Sequence, residues 1–129
     1  MTMVYLDASA IVRIVADEPG RAATVAFLRN HETRVTSVVS TVEVPRAVAR
    51  KRTDAVLAAE AFLTDLVVVG LVSGIVSRAA TLTPPALRTL DAIHLATALE
   101  LGRELAAFVT YDTRLGDAAR SMGLPVAAP

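Results

Sequence analysis

The sequence predicts one α/β domain built on a short parallel sheet with helices on both faces. Three observations predict it. Stretches of strand character alternate with stretches of helical character along the chain. Leu66–Val72 is a continuous apolar run, the pattern of a strand buried on both faces of a helix-covered parallel sheet. A length of 129 residues, 53% of them hydrophobic, at mean hydropathy +0.51, is one domain with enough apolar material to bury a core. No repeat, linker or low-complexity segment divides the chain, so residues 1–129 read as a single domain.

Met3–Leu6 is a β-branched and aromatic run, a first strand ending at Asp7. Ala8–Ala16 follows as a helix that Glu18-Pro19-Gly20 stops. Arg21–Arg29 is a second helix, with Val25 and Leu28 on one face. Arg34–Val38 is a second strand. Ser40–Arg52 and Thr53–Leu63 are two helices, with Thr53 or Asp54 as the N-cap between them. Leu66–Val72 is the third strand, and Gly74–Leu82 a short helix broken by Thr83-Pro84-Pro85. Thr89–Leu101 has the pattern of an amphipathic helix, closed by Gly102. Ala107–Thr110 is a fourth strand, Thr113–Ser121 a helix and Leu124–Ala127 a short last strand. In such a sheet ligands bind outside the carboxyl ends of the strands, where the strand order reverses.

Composition excludes several classes of function. There is no cysteine, which removes disulfide scaffolds, zinc–thiolate sites, iron–sulfur clusters and cysteine nucleophiles. Thirteen basic residues balance thirteen acidic ones without a polybasic tail, which argues against a DNA-coating or membrane-surface protein. Three Phe, two Tyr and no Trp make no stacking platform for single-stranded nucleic acid. The longest apolar run is too short to cross a bilayer. The N-terminus lacks the basic region of a secretion signal, so a cytoplasmic protein starting near Met1 is expected.

Four carboxylates occupy the positions where the sheet rule places a ligand site. Asp7 ends the first strand, and Asp112 follows the fourth within Thr110-Tyr111-Asp112. Glu43 and Asp91 lie in the first turns of two helices. Three of them have plain structural explanations. Glu43 fits a capping box with Ser40, Asp91 suits a helix macrodipole, and Asp112 is a natural N-cap for the helix at Thr113. Asp7 is harder to explain this way, because a part-buried carboxylate without a basic neighbour needs a cation, a metal or a donor. Taken together, carboxylates crowded at one sheet edge repel one another unless a divalent cation neutralises them. Hard oxygen ligands, with no Cys and no His pair, favour Mg²⁺ or Mn²⁺ over zinc. Such sites bind phosphate oxygens and activate water for in-line displacement. Ser9 is placed to orient Asp7 or a metal-bound water, and Thr110 to do the same for Asp112.

At these residues the chain resembles a known family. Val4-Tyr5-Leu6-Asp7-Ala8-Ser9-Ala10, Val42-Glu43-Val44, Leu90-Asp91-Ala92-Ile93-His94-Leu95-Ala96-Thr97-Ala98 and Val109-Thr110-Tyr111-Asp112-Thr113-Arg114-Leu115 follow one another as in PIN-domain proteins. Within that family the chain is most similar to VapC-type toxins of bacterial toxin–antitoxin pairs, and the likeness spans nearly its whole length. The resemblance implies a three-layer PIN fold with about five parallel strands. It implies a Mg²⁺- or Mn²⁺-dependent endoribonuclease, held inactive by a VapB-like antitoxin and commonly homodimeric. Carried over, Asp7, Glu43, Asp91 and Asp112 are the catalytic acids, with Asp7, Asp91 and Asp112 as metal ligands and Ser9 and Thr110 as supporting groups.

Other residues are read from their spacing. Arg46 and Arg50 follow Glu43 on one helix face, a rail for RNA phosphates or for the antitoxin, joined by Lys51 and Arg52. Pro45 removes a backbone donor and is expected to bend the first turn of the Glu43 helix. His94, about one turn after Asp91, reads as a core or supporting histidine, and Asp117 as part of a solvated helix face. Two other functions fit less well. In a phosphatase with Asp7 as nucleophile, an acid belongs where Ser9 stands, and Lys51 is badly placed. A PIN-fold binding module without activity would be expected to lack one of the four acids.

Overall fold

Side chains alternate across a strand, and that alternation sets up two cores in this molecule. The fold is that of a computed structural model describing residues 3–129. Its elements are β1 (Met3–Leu6), α1 (Ala8–Val15), α2 (Arg21–Leu28), β2 (Thr33–Ser37), α3 (Ser40–Lys51) and α4 (Val56–Thr64), then β3 (Val67–Val69), α5 (Ser73–Thr81), α6 (Thr89–Glu100), β4 (Leu105–Val109), α7 (Thr113–Ser121) and β5 (Val126–Ala127). The five strands pair in parallel throughout, in the order β3-β2-β1-β4-β5.

On one face of β1, Val4 and Leu6 pack with Ile11 and Ile14 of α1, Val44 and Val48 of α3 and Leu63 of α4. On the other, Tyr5 packs with Val35, Phe108, Leu95 of α6 and Leu115 of α7. Each fully buried Val, Leu, Ile or Phe in these layers contributes about 1.5–3 kcal/mol by leaving water. The expected three-layer architecture with a five-stranded parallel sheet is what forms.

The chain builds β1, β2 and β3 outward in one direction, then returns across the sheet to lay β4 on the other side of β1. The reversal therefore lies between β1 and β4, at the carboxyl ends that carry Asp7 and Asp112. The turn into α2 depends on a glycine. Gly20 has φ +91, and a Cβ there would come within 2.6 Å of the Arg13 guanidinium.

Three expectations need correction. β3 is a three-residue edge strand paired only with β2, and Val67 is 52% exposed. An apolar run announces a strand but does not tell an interior position from an edge. Helix α6 is not amphipathic: Ala92 and His94 to Ala98 are all buried, because α5 covers the face turned away from the sheet. Neither Thr53 nor Asp54 caps α4. A single 3₁₀ turn, Thr53–Ala55, leads into it, and Asp54 pairs with Arg52 at 3.1 Å. α3 runs continuously through Pro45.

Candidate active site

Asp7 follows β1 directly, and its side chain is the N-cap of α1. Its Oδ1 accepts from the Ser9 hydroxyl at 2.7 Å and the Ala10 backbone N–H at 2.9 Å. Its Oδ2 accepts from the Thr110 hydroxyl at 2.6 Å. A carboxylate has about four lone-pair positions, so this arrangement leaves one on Oδ2 for a ligand. Asp7 is 3% exposed. Burial pushes its carboxyl above the ordinary range, against the pull of Thr110, His94, Ser9 and Ala10.

The two hydroxyls beside Asp7 are themselves fixed. Ser9 Oγ accepts from the Tyr111 backbone N–H at 3.0 Å, and Thr110 Oγ1 from the Asp112 N–H at 3.1 Å. Ser9 is therefore hydrogen-bonded to Asp7. Thr110 gives its proton to Asp7 and not to the Asp112 carboxylate, which corrects the assignment made from sequence. The ring of Tyr111 carries the Arg13 guanidinium 3.5 Å above its centre, and both line the groove beside the acid cavity.

Asp112 caps α7, with Oδ1 accepting from the N–H groups of Arg114 and Leu115 at 2.9 and 3.2 Å. Asp91, in the first turn of α6, is half-buried. Burial raises its carboxyl, and the charges of Asp112, Asp7 and Glu43 raise it further. The capping box expected at α3 does not form. Val39 precedes the helix, and Ser40 Oγ hydrogen-bonds Thr36 Oγ1 at 2.7 Å. Glu43 turns instead to His94, whose Nε2 lies 2.7 Å from Glu43 Oε1. The other ring nitrogen, Nδ1, is 2.6 Å from the Tyr5 hydroxyl.

Asp7, Glu43, Asp91 and Asp112 all line one cavity of about 350 Å³, together with Ser9 and His94. A groove of about 570 Å³ adjoins it at Ser9 and Glu43 and carries Arg13, Arg46 and Arg50. A larger hollow, about 860 Å³, adjoins it at Asp91 and Asp112 and carries Arg88, Arg114 and Asp117. Lys51 is paired with Glu18 and Arg52 with Asp54, whereas Arg46 and Arg50 form no ion pair among the described residues. Asp117 is exposed and pairs with Arg120 at 3.3 Å, in line with a solvated helix face.

The donor set fits a hard divalent cation. The cavity is lined by four carboxylates and the hydroxyls of Ser9 and Thr89, with Arg88 also at its wall, while both ring nitrogens of His94 are engaged. Among the described residues no Lys or Arg forms an ion pair with Asp7, Asp91 or Asp112. Nor do any three Asp, Glu, His or Cys side chains stand close enough to make a ready-made cage. A cation here would keep several waters, the habit of Mg²⁺ more than of zinc.

Sequence reasoning missed Tyr5. It occupies a strand position where period-two alternation reads as core, and its ring is core. The available signal was a buried hydroxyl that needs a partner, opposite a histidine on the buried face of α6.

Comparisons with known proteins bear on the family and the fold. The family model described as the PIN domain matches residues 4–121. The chain is 42% identical to Ribonuclease VapC46 of Mycobacterium tuberculosis over 129 residues, which is 100% of this chain and 99% of that protein. It is 37% identical to Ribonuclease VapC47 of the same species over 132 residues, covering 98% and 97%. The crystal structure of Mycobacterium tuberculosis VapC20, described as a sarcin-ricin loop cleaving toxin, superposes with a TM-score of 0.78 at 16% identity, covering 98% of this chain and 99% of that one. A toxin–antitoxin complex from Klebsiella pneumoniae superposes with a TM-score of 0.75 at 22% identity, covering 98% and 97%. At these identities the structural matches speak for the fold.

Proposed function

The chain belongs to the PIN domain family, and within it to the VapC ribonucleases; from that premise we propose that it is a Mg²⁺- or Mn²⁺-dependent endoribonuclease toxin restrained by a VapB-like antitoxin. The reading takes RNA as substrate, a homodimer as assembly and the cytoplasm as compartment. No helix among the described residues is long and apolar enough to cross a membrane. The observation that carries the chemistry is the convergence of Asp7, Glu43, Asp91 and Asp112 on one cavity at the reversal point of the sheet.

Asp7, Asp91 and Asp112 would hold the cation. When bound, it neutralises these carboxylates, polarises a phosphodiester oxygen and acidifies a water. The chain's own groups supply the rest. Ser9 and Thr110 lock the Asp7 carboxylate in place. Glu43 stands where the acid cavity meets the basic groove, positioned to take the proton of an attacking water. Arg46 and Arg50 draw the RNA backbone into that groove. Water adds to phosphorus, the opposite P–O bond breaks, and the leaving oxygen takes up a proton. The aspartyl-nucleophile alternative is not favoured, since the group two residues after Asp7 is a hydroxyl committed to Asp7 and the only lysine is tied to Glu18.

The test is RNA cleavage by the chain freed of any partner. Mixed cellular RNA is incubated with the protein in Mg²⁺, in Mn²⁺ and in EDTA. Discrete cuts are expected with either metal and none in EDTA, and Asp91→Asn is expected to slow cleavage about a hundredfold or more, in the range for losing one transition-state electrostatic group. Cleavage that persists in EDTA, or that Asp91→Asn leaves unchanged, contradicts the proposal.

A further inference from the structure

Strand alternation sends Val4 and Leu6 to the α1 and α3 side and Tyr5 to the α6 side. There the Tyr5 ring lies flat on Phe108, centroids 5.3 Å apart and planes within 2°. It meets His94 edge-on at 5.8 Å. The hydroxyl of Tyr5, the imidazole of His94 and the carboxylate of Glu43 form one hydrogen-bonded line, with contacts of 2.6 and 2.7 Å. Tyr5 and His94 are buried, whereas Glu43 opens onto the acid cavity.

Chemistry orders this line. An ionised carboxylate only accepts, so His94 Nε2 carries a hydrogen. In a neutral imidazole Nδ1 is then the acceptor, and the Tyr5 hydroxyl is the donor. Glu43 shares its cavity with three other carboxylates, which repel it. Arg46, one turn along α3, offers it an alternative partner near solvent. Arg88 also lines the cavity, and the bond from His94 adds a fixed restraint from below against the repulsion of the three acids.

We propose that Tyr5 is a positioning residue: by donating to His94 Nδ1 it holds the imidazole as the Nε2–H tautomer, and so keeps Glu43 turned into the acid cavity. The inference rests on the nuclease reading of that cavity.

The test uses the full chain as wild type, Tyr5→Phe, His94→Gln and His94→Leu. Tyr5→Phe keeps the ring that packs on Phe108 and removes only the hydroxyl. Gln at position 94 keeps a donor for Glu43 and an acceptor for Tyr5 on one neutral amide, whereas Leu keeps only bulk. Imidazole ¹⁵N spectra are recorded at pH 8 without metal, with His31 assigned by its persistence in His94→Gln. Wild-type His94 is expected to show a protonated Nε2 and a bare, hydrogen-bonded Nδ1. In Tyr5→Phe the Nδ1 signal is expected to shift as that bond is lost. With metal and RNA, Tyr5→Phe is expected to lower kcat about tenfold at unchanged KM and unchanged melting temperature, the size of effect usual for partners that orient site residues. His94→Gln is expected to keep more activity than His94→Leu.

A wild-type Nδ1–H tautomer or imidazolium overturns the inference. So does a Tyr5→Phe protein with the wild-type spectrum or wild-type kcat. If Tyr5→Phe melts early, the spectrum below its melting temperature decides. If the wild type cuts no RNA with either metal, the nuclease reading falls, and the spectra alone decide whether Tyr5 sets the imidazole.

Discussion

A carboxylate taken out of water without a cationic partner binds its proton more tightly, and Asp7 is in that position. The consequence for stability has a definite sign. The folded protein holds the Asp7 proton more tightly than the unfolded chain, whose value is near 3.8. The stabilisation is therefore fully present below that pH and is lost as pH rises through the raised value. Asp91 acts in the same direction. At neutral pH the metal-free protein carries both penalties. Asn caps a helix as well as Asp does, and Thr110 has lone pairs to receive its amide. Asp7→Asn is therefore expected to raise the melting temperature in EDTA at pH 7 by about 5 °C, the shift that about 1 kcal/mol produces in a domain of this size. The difference should shrink as pH falls toward 4. Thermal melts of both proteins from pH 4 to 8 check this, and a variant less stable than wild type at pH 7 would count against an uncompensated Asp7.

At the scale of elements, apolarity and burial part company in β3. Val35 on β2 is 2% exposed, while its register partner Val67 on β3 is 52% exposed. Val67→Lys is expected to change unfolding free energy by no more than about 0.5 kcal/mol, as at other exposed sites, and lysine is a residue that edge strands use. Val35→Ala should cost about 2 kcal/mol through the cavity it leaves. Urea unfolding of the two variants separates an edge strand from a buried one. The same comparison shows what the sequence could convey. Local patterns announced every strand and helix, because turn residues and apolar periodicity are local signals. They did not announce that β3 is an edge or that α5 covers α6, because sheet order and layer packing are set by contacts distant in sequence. The site divides in the same way. Asp7, Glu43, Asp91 and Asp112 stood out as acids at strand and helix ends. The line from Tyr5 to Glu43 did not, because a tyrosine in a strand and a histidine in a helix read as core until their partners are seen.

For the whole molecule, net charge is a poor guide to function. Thirteen acidic and thirteen basic groups cancel, yet they are sorted in space. The reversal of strand order between β1 and β4 gathers Asp7 and Asp112, and the first turns of α3 and α6 bring Glu43 and Asp91 to the same cavity. Arg46 and Arg50 line the adjoining groove. A cation site beside a basic groove suits a polyanion that must be both held and cut. On the proposed reading these carboxylates act together as one divalent-cation site. Calorimetric titration of Mn²⁺ into the partner-free protein at pH 7, for wild type and for Asp91→Asn, tests it most directly. Saturable binding is expected for the wild type, and binding at least about tenfold weaker for the variant, at an undiminished melting temperature. Equal affinity in the two proteins, or no binding by the wild type, would contradict it.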